Sequence, residues 1–190
     1  MSLEEGKYYH FFNRGNNSQK VFFEPENYLY FLRLLDKYIK PVANIYSYCL
    51  LKTHYHIVVR IKPMEEVDLE SLSYSTVSKA KKLSATSQFS NLFNAYTQAI
   101  NKKYQRTGNL FEYRFHRKGI TTDEYLIHAI LYVHSNPNKH KICKTIEEYT
   151  WSSYNGIATN EYRNIDYDTV LKLFGGVDNF KFAHQSIEIK

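Results

Sequence analysis

His54, Tyr55 and His56 stand in a β-prone run, and residues two apart on a strand project from one face, about 6.6 Å apart along the chain. Two neutral imidazoles so placed can hold a divalent ion if one or two oxygen ligands join them and positions stay open for a substrate. The same spacing suits a surface pair or two hydrogen-bonded core histidines. Tyr55, Ile57, Val59 and Ile61 occupy the opposite face and call for a core, while Val58 and Arg60 continue the histidine face, which is expected to be the more polar one.

A second candidate group lies in the helical run from residue 122. Leu126, Ala129, Ile130 and Val133 form its apolar stripe, and Tyr125, His128, Tyr132 and Asn136 lie about 100° round the cylinder. Tyr132 and Asn136, four apart, are stacked neighbours, whereas His134 points roughly the other way. A phenolate beside a metal-polarised phosphodiester can attack phosphorus and form a phosphotyrosine link. A phenol with its pKa near ~10 needs a cation or base to ionise it at neutral pH. Helix periodicity alone equally describes Tyr132 as a rim tyrosine that packs its ring and wets its hydroxyl.

The elements that must position these groups follow from the pattern. Residues 7 to 14 read as a strand closed by Gly15-Asn16-Asn17, and Pro25-Glu26 opens a helix through Tyr28, Phe31, Leu32, Leu35 and Ile39 that ends at Pro41. Residues 43 to 51 and 54 to 61 form a hairpin. A loop over 62 to 75 leads into a helix from about Thr76 to Tyr104, with a break near Ser84 to Ser87. Leu110 to Phe115, with Lys118-Gly119-Ile120, suggests a further strand or extended arm. Thr121 to Glu124 has capping-box form, and Pro137 should end the following helix at or near Asn136. A last helix covers Asp168 to Phe174, stopped by Gly175-Gly176. This order predicts an α+β domain, a ferredoxin-like antiparallel sheet with packed helices, spanning residues 1 to 190 with a C-terminal extension after about residue 150.

At 190 residues the chain suits one domain. Its net charge of +6 and its 18 tyrosines favour a polyanion with unstacked bases. Cys49 and Cys143, outside any CxxC spacing, argue against a disulfide framework or cysteine zinc site and fit a reducing cytoplasm. No run approaches the ~20 apolar residues of a membrane span, so no membrane partner is expected.

Five blocks appear in order: Asn13-Arg14-Gly15-Asn16, Tyr48 to Arg60, Gly108 to Phe115, Tyr132-Val133-His134-Ser135-Asn136-Pro137, and Trp151-Ser152-Ser153-Tyr154. Together they resemble the signature blocks of the single-tyrosine HUH transposases, in particular the branch associated with repetitive extragenic palindromes, over about residues 8 to 154. The resemblance implies a ferredoxin-like fold and cleavage of single-stranded DNA beside a hairpin through a 5′-phosphotyrosine, with Mg²⁺ or Mn²⁺ as the ion. Carried over by position, it makes His54 and His56 metal ligands, Tyr132 the nucleophile and Asn136 the third ligand. The sequence departs where Lys52-Thr53 precedes His54 in place of the usual Pro or Met followed by Asn. The basic run after Asn-Pro is represented by Asn138-Lys139-His140-Lys141. Asn13, Arg14, Arg114, Arg117 and Lys118 are candidate DNA contacts. His10 is either a neighbour of the metal or a packed strand histidine, and Trp151 either a base-stacking ring or a core anchor. Monomer and homodimer are both open, as is action in cis or in trans. The rival function is a retired hairpin-binding protein that no longer cuts.

Overall fold

In the computed structural model, residues 3–67, 84–159, 161 and 165–186 are described. Four strands form one antiparallel sheet in the order β2-β3-β1-β4: β1 is Tyr8–Arg14, β2 Ala43–Leu51, β3 His54–Ile61 and β4 His116–Ile120. Among the described residues the helices are α1 Pro25–Leu34, α2 Ala85–Lys103, α3 Asp123–Lys139, α4 Tyr154–Thr159, α5 Tyr167–Phe174 and α6 Val177–Gln185. This is the α+β, ferredoxin-like arrangement the pattern predicts. Pro25 at the first turn of α1, with the reciprocal Glu24 and Asn27 cap, starts that helix. A π-helical stretch, Leu35–Ile39, extends it towards Pro41. Ser84 caps α2 by accepting from the Ser87 amide, so the expected break near Ser84 is the helix start. Residues 68–83, which hold most of the expected loop and the first part of the expected helix from Thr76, lie outside the described residues.

The β2–β3 hairpin turns on Lys52-Thr53, whose carbonyls accept from the amides of Val21, Phe22 and Gly15. Gly15 is required there by close approach: a Cβ would stand 2.1 Å from the Gln19 carbonyl oxygen. Tyr55 turns to the α1/α2 side of the sheet, its ring 5.6 Å from Phe31 and 5.2 Å from Phe93. On the same side Phe11 stacks on Phe89 at 3.9 Å. The interior on this side is thus largely aromatic, which accounts for much of the Phe and Tyr content.

Helix α3 packs across β2 and β3 on the other side. Val58 is consequently fully buried, although the face it shares with His54, His56 and Arg60 is the more polar one, as expected. Two expectations need correction. Pro137 does not end α3, which runs to Lys139; the helix gives up the bond a residue-137 amide would make and resumes with the His140 amide on the Asn136 carbonyl at 3.0 Å. The cap is Thr122, accepting from the Tyr125 amide, one residue later than the expected box. The expected further strand or extended arm divides: Lys118-Gly119-Ile120 fall in β4, and Leu110 to Phe115 forms an arm tied to the sheet end by a bridge from Phe111 to Gly15 and by bonds from Asn13 and Arg14 to Glu112. Beyond Gly175, whose φ of +74° ends α5, the additional helix α6 packs against α3 and α4. Residues 151–153 bond to the edge of β2, the Leu50 amide to Trp151 O and the Ser153 amide to Tyr48 O. Trp151 stacks on Tyr28 at 4.4 Å and is a packing residue.

Candidate active site

Pairing in register decides which side chains meet. His54 and His56 lie opposite Arg14 and Phe12 of β1, and Phe12 in turn lies opposite His116 of β4. Cross-strand partners share a face, so Arg14, Phe12, His10, His54, His56, His116 and Lys118 all lie on one side of the sheet. Helix α3 crosses this side and sets Tyr132 edge-on against His56, ring centroids 5.6 Å apart, and against His10 at 5.9 Å. The Tyr132 residue is 43% exposed, leaving the phenol accessible to a large substrate. A pocket of about 510 Å³ opens beside it, lined by Arg14, Thr53, His54, His56, His116 and His140.

A buried chain of hydrogen bonds holds α3 in place. The Phe180 carbonyl, 2.7 Å from His184 Nδ1, can only accept, so that nitrogen carries the proton and His184 Nε2 accepts. His134 Nδ1 therefore donates to His184 Nε2 at 2.8 Å, and the Ser153 hydroxyl donates to His134 Nε2 at 2.8 Å. Ser153 Oγ in turn accepts from the Tyr48 amide at 2.9 Å. Both rings are neutral in this scheme. Burial holds His134 well below the usual histidine range, followed by the neighbouring His184, and burial lowers His184 to about 4. His134 thus ties α3 to β2 and α6, and lies away from the pocket.

His54 and His56 are also uncharged at neutral pH. His54 is lowered to about 4 by burial first, then by His140 and Arg14; His56 is lowered to about 2 by burial, then by His10, His54 and His140. His54 Nδ1 lies 2.9 Å from Thr53 Oγ1, and His56 Nδ1 lies 2.9 Å from His10 Nε2. With the proton on Nδ1 in each pair, each Nε2 keeps a lone pair to offer an ion. The donor set thus fits a divalent metal as two neutral nitrogen ligands. Among the described residues no group of three or more His, Cys, Asp or Glu side chains is gathered to hold one; an amide, substrate or water oxygen can complete the set. Asn136 is buried, its amide nitrogen donating to the Tyr132 carbonyl at 2.8 Å.

The continuation of α3 past Pro137 brings two residues to the site. Lys139 Nζ stands 4.5 Å from the centre of the Tyr132 ring, and the His140 ring lies 4.8 Å from that of His54. The expected DNA contacts separate. Arg14 Nε lies 2.5 Å from Glu112 Oε1 at the pocket edge. Asn13 is buried, bonding the Glu112 carbonyl and the Arg14 amide, and so fixes the 109–115 arm. Lys118 shares the histidine face and lies over the Tyr125 ring. Arg117, opposite Phe11, belongs to the other face; with Arg114 and Tyr113 it borders a separate groove of about 860 Å³ against α2. Thr53 and Glu112 carried no sequence signal as site residues, and Lys139 and His140 only as part of the basic run after Asn-Pro, because strand register and helix packing bring them here. Among the described residues no helix is long and apolar enough to cross a membrane.

No protein-family model and no curated protein matches the sequence. Among solved structures, a REP-associated tyrosine transposase bound to a REP hairpin is similar with a TM-score of 0.61 at 17% identity, covering 86% of each chain. That likeness shows a shared fold. A bacterial tRNA(His) guanylyltransferase-like protein in complex with GTP overlaps with a TM-score of 0.45 at 11% identity, over 75% of this chain and 67% of its own, too little to bear on function.

Proposed function

We propose that this chain is a metal-dependent single-stranded DNA endonuclease and strand transferase that acts beside DNA hairpins, with Tyr132 as nucleophile. The observation that carries the reading is the contact of an exposed phenol ring with His56, one of two neutral imidazoles on adjacent same-face positions of β3. The fold shared with a hairpin-bound tyrosine transposase supports the substrate class. His54, His56 and Asn136 would hold the ion, Mg²⁺ or Mn²⁺, which when bound polarises the scissile phosphate and offsets its developing charge. Arg14, Lys118 and Lys139 supply positive charge around the strand, with Arg114 and Arg117 extending it along the neighbouring groove.

Tyr132 Oη attacks phosphorus as its proton leaves to solvent, the phosphorus–O3′ bond breaks, and the departing strand takes up a proton as a free 3′-hydroxyl. The other strand stays joined to Tyr132 through its 5′-phosphate. Strand transfer reverses this step: a 3′-hydroxyl attacks the phosphotyrosine and releases the phenol. The test is incubation of the protein with Mg²⁺ or Mn²⁺ and labelled hairpin oligonucleotides, followed by denaturing electrophoresis. The wild type is expected to form a denaturant-resistant adduct, and Tyr132→Phe and His56→Ala none. An adduct in Tyr132→Phe would move the nucleophile elsewhere; tight hairpin binding without any adduct would favour a protein that binds and no longer cuts.

A further inference from the structure

His10 touches both groups on which the proposed chemistry depends. Its Nε2 lies 2.9 Å from His56 Nδ1, its ring stacks on that of His56 at 5.1 Å and 30°, and it meets the Tyr132 ring at 5.9 Å and 70°. Strand register explains the contact. His10 faces Val58 across the β1–β3 ladder, one same-face position along from His56, and Lys118 across the β1–β4 ladder. Phe12 flanks the pair, its ring 5.1 Å from His10 and 5.9 Å from His56. The His56 imidazole is therefore confined by stacking on one side, by Tyr132 at its edge and by a hydrogen bond at Nδ1. His54 has its own Nδ1 partner in Thr53. Each histidine of the triplet thus has a dedicated Nδ1 contact from a different element.

We propose that His10 is the positioning residue for His56: its Nε2 accepts the His56 Nδ1 proton, fixing the ring plane and leaving His56 Nε2 as the ligand atom. This rests on the metal reading of the site and adds to it the residue that sets one ligand's tautomer. A partner on the second ring nitrogen orients a ligating imidazole and raises its basicity, and its loss lowers metal affinity by about 10–100-fold. The alternative polarity, with the proton on His10 Nε2, would place a proton on His56 Nε2 and exclude a metal from it. The bond direction therefore decides whether His56 can serve as a ligand.

Two measurements test this on the full chain. The first is Mn²⁺ affinity by calorimetry for the wild type, His10→Gln, His10→Phe and His56→Ala, each checked for folding by circular dichroism. His10→Phe keeps a ring for stacking and removes the acceptor; it is expected to bind Mn²⁺ about 10–100-fold more weakly, while His10→Gln, whose amide oxygen can accept, recovers part of the loss. The second is ¹⁵N NMR of the histidine rings in metal-free protein, expected to show His56 protonated at Nδ1, with that preference lost in His10→Phe. Equal Mn²⁺ affinity in wild type and His10→Phe, or a His56 proton on Nε2 in wild type, would overturn the role of His10 while leaving the proposed function standing. Mn²⁺ binding unaffected by His56→Ala would remove the metal reading itself, and this inference with it.

Discussion

Replacing Ser153 by Ala tests the bond chain that seats α3. Ser153 is fully buried, and its hydroxyl is the donor available to His134 Nε2, itself fully buried. Removing that donor leaves an unsatisfied buried acceptor, which costs about 1–3 kcal/mol. The same substitution deletes the bond from the Tyr48 amide, worth about 1 kcal/mol. The expected loss of unfolding free energy is about 2–4 kcal/mol, measured by urea titration with fluorescence of Trp151, the chain's single tryptophan. In a His134→Leu background the acceptor is already gone, and Ser153→Ala should then cost only the Tyr48 bond, about 1 kcal/mol. A loss below about 0.5 kcal/mol in the wild-type background, well under one buried orphan, or an equal loss in both backgrounds, would refute the assigned donors and acceptors. Because Tyr132 is two residues from His134 on the same helix, slower adduct formation with unchanged DNA affinity should accompany the stability loss.

Phe89→Ala empties the fully buried position stacked on Phe11 and should cost about 3–5 kcal/mol in the same urea assay. Gly15→Ala puts a Cβ into the Gln19 carbonyl and should lower the thermal midpoint measured by circular dichroism, although its φ of −63° suits alanine. His184, held at about 4 against 6.5 for the free side chain, binds fewer protons folded than unfolded. Its contribution is therefore fully present above pH 6.5 and is lost as the pH falls from 6.5 towards 4. Urea midpoints across that window should fall, and fall less in a His134→Leu/His184→Leu variant. Lys118→Ala should weaken single-stranded DNA binding and reduce the slope of log affinity against log salt by about 0.7, as expected for one lost phosphate contact.

Residue types and their spacing suffice for strands β1 to β3, for helices α1, α3 and α5, and for His54, His56, Tyr132 and Asn136 as candidate site members, but not for helices α4 and α6 or for Thr53 and Glu112 at the site. Alternation over 54–61 places His54 and His56 together, and the 3.6-residue period from 122 separates Tyr132 and Asn136 from the apolar stripe. Gly175 and Pro25 are similarly local signals. The burial of Val58, the contact of Tyr132 with His56 and the bond from His10 to His56 depend on which face α3 covers and on β1–β3 register. Those are long-range choices, settled by the joint packing of Leu126, Ala129, Ile130 and Val133 with the sheet and by the Ser153–His134–His184 chain. Pro137 illustrates the limit of local reading: its preference for ending a helix is overridden by the packing of a buried Asn136-Pro137 turn, and that override carries Lys139 to the Tyr132 ring. The sequence by itself determined the chemical groups and the strand and helix that bear them; only the tertiary structure decided their distances and partners, because a register or a helix face is chosen by contacts between residues dozens of positions apart.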